Sequence, residues 1–109
     1  MPRLRVVCGK NIALGPGKVE LLALVGETGS IGEAAKRMTM SYMRAWSLIQ
    51  KMNECFKEPV VLTVRGGHER GGAELTETGR RAVELYQQME TSALKAVRND
   101  WRTLQQLLC

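Results

Sequence analysis

Histidine and cysteine are scarce in this chain of 109 residues, which has one histidine and three cysteines. Cys8, Cys55 and Cys109 are an odd, widely spaced set with no C-x-x-C pair. This arrangement argues against a disulfide framework, and with His68 as the only histidine it also argues against a zinc site. We expect Cys8 and Cys55 to be reduced thiols that pack as small hydrophobes, and we expect no metal and no cofactor.

Long apolar runs are also missing, because no run approaches the ~20 residues that a membrane-spanning helix needs. The first ten residues, MPRLRVVCGK, are too charged for a secretory signal, and their apolar stretch is too short. Acidic residues are outnumbered, since 16 lysines and arginines face 11 aspartates and glutamates, a formal net charge of +5. These observations predict a cytoplasmic protein with a polyanionic partner, chiefly nucleic acid, and no membrane partner.

Catalytic constellations are absent as well. His68 has no serine, cysteine or carboxylate at a recognisable motif spacing, and a glycine-rich segment holds a base poorly. The glycines of residues 66–72 are not followed by G-K-[ST], so they do not form a P-loop. We therefore expect no catalytic residues and no enzyme.

The elements that are present indicate a mainly α fold with a small β-hairpin. A strand is predicted at 3–9, a turn-rich segment at 11–18, helices at 18–29, 30–38 and 42–55, hairpin strands at 60–65 and 73–76, and a last helix from Thr76 to the end. We assign residues 1–76 to a winged helix-turn-helix unit and residues 77–109 to a long dimerisation helix.

The central part of the chain has the layout of a helix-turn-helix. Ser30 and Glu33 fit the capping box S-x-x-E, and only Thr39 and Met40 separate this helix from the next cap, Ser41. The third helix has an apolar line on one side and a polar face opposite. A helix that enters the DNA major groove needs such an uncovered face, although most polar faces are simply solvated. The candidate DNA-binding residues of this segment are Ser41, Tyr42, Arg44, Ser47 and Lys51.

The segment RGGHERGG at 65–72 follows this pair of helices as a wing would. Its glycines let the main chain approach phosphates, and its basic residues favour the DNA backbone or minor groove. A plain surface hairpin is the alternative. The candidate DNA-binding residues of the wing are Arg65, Gly67, His68 and Arg70.

The last helix carries apolar residues that alternate by three and four positions, the spacing of a coiled-coil seam. We expect it to form a dimer, with a helix folded back on its own core as the alternative. The candidate dimerisation residues are Tyr86, Met89, Leu94, Val97, Trp101, Leu104 and Leu108.

The stretches GSIGEAAKRMTMSYMRAW and EPVVLTVRGGHERGGAELTETGRRAVELY resemble the N-terminal winged-helix domain of the ModE family of molybdate-responsive transcription regulators, and more loosely the LysR-type DNA-binding domains. The resemblance extends from about Leu4 to Tyr86. It implies recognition-helix contacts from Ser41, Tyr42, Arg44 and Lys51, a wing at 65–72, and Trp46 in or beside the core. It also implies dimerisation through the first and last helices.

Two departures from the family pattern stand out. Met43 occupies a position where the family usually has lysine or arginine, and we expect no counterpart here of the molybdate-binding modules into which full-length relatives continue. We therefore expect a homodimeric regulator that binds double-stranded DNA and does not itself bind molybdate. Two alternatives stay open: a winged-helix protein-interaction module that heterodimerises with a full-length regulator, and a regulator with a small ligand near Trp101 and Met89.

Overall fold

The computed structural model describes residues 3–64 and 72–109, which form four helices and two antiparallel β-hairpins. The predicted winged helix-turn-helix fold with a long last helix is confirmed. The elements are β1 (Val6–Cys8), β2 (Asn11–Leu14), α1 (Pro16–Thr28), α2 (Ile31–Arg37), α3 (Tyr42–Cys55), β3 (Val61–Val64), β4 (Gly72–Leu75) and α4 (Glu77–Leu107).

A second β-hairpin, β1–β2, stands where the sequence predicted one strand followed by a turn-rich segment, so that part of the prediction is wrong. Cys8 pairs with Asn11 across a two-residue connection. Gly9 begins this connection with a φ of 59°, a left-handed conformation that two-residue hairpins require and glycine adopts at little cost. The second strand forms because it buries Ala13 and Leu14 against the helices.

Helix α1 lies at the centre of the fold. It packs against α2, α4, β2 and β4, and its buried side chains cover nearly half of its circumference. Its carboxyl end is closed by Gly29, where φ is 72° and the Gly29 N–H donates to the Val25 carbonyl oxygen at 2.8 Å. The buried residues of α1 are Val19, Leu21, Leu22 and Val25.

Helix α4 divides into a packed part and a projecting part. Its buried residues, Gly79, Ala82, Val83 and Tyr86, all lie in its first three turns and belong to the common core. The helix continues to Leu107, so a stretch of roughly 30 Å beyond Tyr86 has no buried side chain. This projection accounts for the long axis of the molecule, which measures 58 × 29 × 24 Å. No helix within the described ranges has the length and apolarity to cross a membrane.

Candidate nucleic-acid interface

Two serine caps fix where α2 and α3 begin. The Ser30 hydroxyl oxygen accepts a hydrogen bond from the Glu33 N–H at 3.0 Å, which is the first half of the predicted capping box. The Ser41 hydroxyl oxygen accepts from the Arg44 N–H at 3.1 Å. Helix α3 therefore begins at Tyr42 and ends at Cys55, the bounds that the sequence predicted.

The joint between the two helices contains a non-glycine residue in the left-handed region. Thr39 has a φ of 53°. Its N–H donates to the Lys36 carbonyl oxygen at 3.1 Å, and the Met40 N–H donates to the Ala35 carbonyl oxygen at 3.0 Å. These bonds close the end of α2 within one turn of the chain, so α3 leaves at a fixed angle.

Helix α3 has one buried side and one open side. Ala45, Ile49 and Met52 are buried, and the helix packs against α2 and β2. The predicted DNA-binding residues of this segment are all exposed, and the structure brings them together on and beside the open side. They are Ser41, Tyr42, Arg44, Ser47 and Lys51.

The cations of this open side are not neutralised within residues 3–64 and 72–109. Arg44 and Lys51 form no ion pair there. Arg37 of α2 behaves differently, because it contacts the carboxylates of Glu27 at 3.2 Å and Glu33 at 3.9 Å. The cations of α3 are therefore available to an external anion, whereas Arg37 is paired with carboxylates of its own chain.

Apolar side chains are also exposed, on the open side and at its margin. Met43 is 67% exposed, Tyr42 51% and Trp46 39%. The resemblance implied that Trp46 would lie in or beside the core, and the structure places it at the exposed margin. Its position borders the buried line of α3, and a side chain of that size reaches solvent from there.

The wing is described only through its two strands. Strands β3 and β4 pair from Val61 with Leu75 to Val64 with Gly72. The predicted contacts Arg65, Gly67, His68 and Arg70 lie outside the described residues.

Sequence reasoning missed the residue that joins α3 to the wing. The Asn53 side chain accepts from the Val60 N–H at 2.8 Å and from the Val61 N–H at 3.3 Å, and it donates to the Val61 carbonyl oxygen at 3.1 Å. Val60 and Val61 are buried, so these backbone groups are shielded from water. The start of β3 is thus tied directly to the carboxyl half of α3.

The predicted dimerisation residues fall into two groups. Tyr86 is only 1% exposed, and its hydroxyl donates to the Leu4 carbonyl oxygen at 2.7 Å. It belongs to the core of the single chain, where burial and then the charge of Glu90 raise the pKa of its phenol. The exposed members follow one another along the rest of α4 and at its end, with Leu94 half-buried among them. They are Met89, Val97, Trp101, Leu104 and Leu108.

The three cysteines are free thiols, as expected. Cys8 and Cys55 are half-buried and adjacent, with the Cys8 Sγ 4.0 Å from the Cys55 carbonyl oxygen. The hydrogen bond with Cys8, followed by burial, raises the pKa of the Cys55 thiol. Cys109 is exposed at the end of the chain.

Comparison with known proteins identifies relatives of this arrangement. A profile of bacterial regulatory helix-turn-helix proteins of the lysR family matches residues 17–80. Molybdenum transport protein ModE of Azotobacter vinelandii is 42% identical over 90 residues, which are 83% of this chain and 33% of that protein. Molybdenum-pterin-binding protein MopB of Rhodobacter capsulatus is 40% identical over 82 residues, 75% and 30% of the two chains. Transcriptional regulator ModE of Yersinia pestis is 40% identical over 81 residues, 74% and 31% of the two chains.

The chain spans about a third of the length of these curated relatives. Among solved structures, Streptococcus pneumoniae FabT in complex with DNA superposes with a TM-score of 0.58. That match covers 87% of this chain and 78% of the FabT chain at 12% sequence identity. At such an identity the likeness concerns the fold alone.

Proposed function

Because this chain belongs to the lysR family of bacterial regulatory helix-turn-helix proteins, with the ModE-like winged helix that its sequence predicts, we propose that it binds duplex DNA sequence-specifically and regulates transcription. Proteins of a regulatory family are not enzymes, so the expected lack of enzymatic activity follows from family membership. The observation that carries the proposal is the open side of α3, where Arg44 and Lys51 are exposed and free of ion pairs within residues 3–64 and 72–109.

The dimensions of α3 suit the DNA major groove. With 14 residues the helix is roughly 21 Å long, and the groove is about 12 Å wide, enough to admit one helix with its side chains. In that position the Arg44 guanidinium would form a bidentate hydrogen bond to guanine or phosphate. Ser47 would hydrogen-bond a base edge or phosphate, and Lys51 would neutralise a phosphate. The wing residues Arg65 to Gly72 would lie on the adjacent backbone or minor groove.

We further propose that two copies associate through the projecting part of α4. An isolated helix in water is marginally stable, and most helices owe their stability to an apolar face packed against another element. The exposed stripe of Val97, Trp101 and Leu104 repeats at the spacing that a second helix would cover. Tyr86 is no longer among these contacts, because its own chain buries it.

In this dimer residues 1–76 would read DNA and residues 77–109 would join the subunits. These two parts differ in their proposed roles but are not separate folding units, because the first turns of α4 complete the core of residues 1–76. Two copies of α3 would enter major grooves about 34 Å apart on a two-fold-related operator. The dimer would act on chromosomal DNA in the cytoplasm.

Titration of Arg44→Ala and Lys51→Ala with labelled duplex tests this function. Arg44→Ala should lose about 1–3 kcal/mol of binding free energy, Lys51→Ala should weaken binding to all sequences and lower the salt slope by about one, and the unfolding of both variants should be unchanged. Binding by the unaltered chain should weaken steeply with salt, because each neutralised phosphate releases counterions. Arg102→Ala removes the same charge from exposed α4 and is the matched control.

The proposal fails if the two α3 variants and the control bind alike, or if binding does not change with salt. A second function then takes precedence. The same apolar stripe of α4 suits a helix from a different, full-length regulator, which would make this chain a heterodimerising interaction module. Absence of any mobility shift at low salt, together with complex formation with such a regulator, would support that module.

A further inference from the structure

Exposed apolar side chains form a patch at the amino-terminal half of α3, next to its polar residues. We define this apolar patch as Tyr42, Met43 and Trp46. Resting on the proposed DNA binding, we propose that Met43 reads thymine through its C5-methyl group in the major groove. The substrate class would then be duplexes whose half-sites place a thymine opposite the first turn of α3.

The position of Met43 on the helix carries the first step. At 3.6 residues per turn, Met43 points away from the buried Ala45 and Met52 and lies one turn before Ser47. Its exposed fraction, 67%, is the largest among the apolar side chains of α3. A helix that enters the groove with its open side inward therefore brings this side chain to the base edges first.

The residues next to Met43 restrict the directions in which its side chain can extend. The ring of Tyr42 lies beside the first turn of α2, where a Cβ built on Gly32 would be 3.9 Å from its Cδ1. Trp46 follows Met43 by three positions, so it lies on the same face one turn later. The two aromatic residues flank the methionine on one side, which leaves its thioether free to extend toward the groove floor.

The chemistry of the side chain decides which base it can read. A thioether has no hydrogen-bond donor and is only a weak acceptor, so it cannot satisfy guanine O6 or N7 as arginine does. Thymine is the one base that presents an apolar group in the major groove, the C5-methyl. Guanine opposite Met43 would leave its acceptors unpaired, so the position should discriminate in favour of thymine.

The charges around the apolar patch favour DNA over a protein as its occupant. Arg44 lies next to the patch and Lys51 two turns further along α3, and both lack ion pairs within residues 3–64 and 72–109. An apolar protein surface seated on the patch would have to desolvate or neutralise both cations. A duplex supplies phosphates for them and methyl groups for the patch in one surface.

Replacement of thymine by deoxyuridine in a selected operator tests the inference, because it deletes the C5-methyl and keeps the hydrogen-bonding edge. Duplexes are first selected from a random pool with the intact chain, and each thymine is then replaced in turn at fixed ionic strength. We expect one position per half-site at which replacement weakens binding about fourfold, the effect of exposing one methyl group.

Two variants assign that effect to Met43. Met43→Ala should bind thymine and deoxyuridine duplexes equally, whereas Val7→Ala should keep the fourfold difference. Val7 is the matched control because it is also apolar and 67% exposed, but lies on β1. The inference is overturned if binding is selective but deoxyuridine weakens it at no position. It is also overturned if deoxyuridine weakens binding of Met43→Ala as much as binding of the unaltered chain. Either result leaves the proposed function standing. Absence of any duplex binding overturns both.

Discussion

Because Asn53 links α3 to the wing, we predict that the substitution Asn53→Ala strongly destabilises the fold. The side chain of Asn53 makes three hydrogen bonds to the backbone of Val60 and Val61. Each is worth about 1 kcal/mol net, and a buried backbone group that is left unpaired costs more. We expect the free energy of unfolding to fall by about 2–4 kcal/mol.

The assay is thermal and urea denaturation followed by circular dichroism at one protein concentration, since association would otherwise shift the midpoint. For a domain of this size the expected loss corresponds to a Tm lower by roughly 10–25 °C. Asn99→Ala is the matched control, because Asn99 is exposed on α4, and it should change stability by less than about 0.5 kcal/mol. If the two variants are equally stable, Asn53 does not hold the wing in the way described.

Three further exchanges test α4 and its contacts. Trp101→Asp should convert the proposed dimer to monomers in sedimentation experiments, because it places a charge in the apolar stripe. Gly79→Ala should destabilise the fold by about 1–3 kcal/mol in urea, since the added Cβ would overlap the buried Val60 carbonyl oxygen. Tyr86→Phe should lose about 0.5–1.5 kcal/mol at neutral pH. The unaltered chain should lose stability above about pH 10, because the Tyr86 phenol has a higher pKa in the folded chain and ionises first in the unfolded chain. In Tyr86→Phe this contribution to the pH dependence should be absent.

The controls for these exchanges lie on the same helices or use the same chemistry. Asn99→Ala, two positions before Trp101 and on the other side of α4, should leave the sedimentation unchanged. Gly17→Ala should be neutral or stabilising, since nothing lies within 4 Å of a Cβ at Gly17. The Trp101 prediction is contradicted if the unaltered chain is a monomer, and the Gly79 prediction if Gly79→Ala is as stable as the unaltered chain. The Tyr86 prediction is contradicted if stability falls equally with rising alkaline pH in Tyr86→Phe and in the unaltered chain.

Local signals accounted for the elements that the sequence predicted well. The bounds of α3 and the caps at Ser30, Ser41 and Thr76 depend on a side chain and an N–H three residues later, so they can be read from a few neighbouring letters. The Gly29 closure of α1 is of the same kind. These positions give the order of helices and the orientation of the polar face.

The features that were missed depend on partners distant in the chain or on unusual backbone. Strand β2 forms because the core buries Ala13 and Leu14, which no local pattern indicates. Thr39 takes a left-handed conformation where glycine would be the usual residue. The bonds of Asn53 reach residues seven and eight positions away, and an asparagine near a helix end has many other possible roles.

The contacts around Val60 give a physical reason for joining recognition and dimerisation in one unit. Its N–H is bonded to Asn53 of α3, while its carbonyl oxygen accepts from the Thr76 N–H at 3.0 Å and from the Thr76 hydroxyl at 3.1 Å at the start of α4. The same oxygen lies against Gly79, which leaves α4 no room to shift. One buried residue thus connects α3, the wing strand β3 and α4. In the proposed dimer, the pairing of α4 would therefore set the distance between the two copies of α3. A mutation at this junction should alter the preferred half-site spacing of selected operators as well as stability.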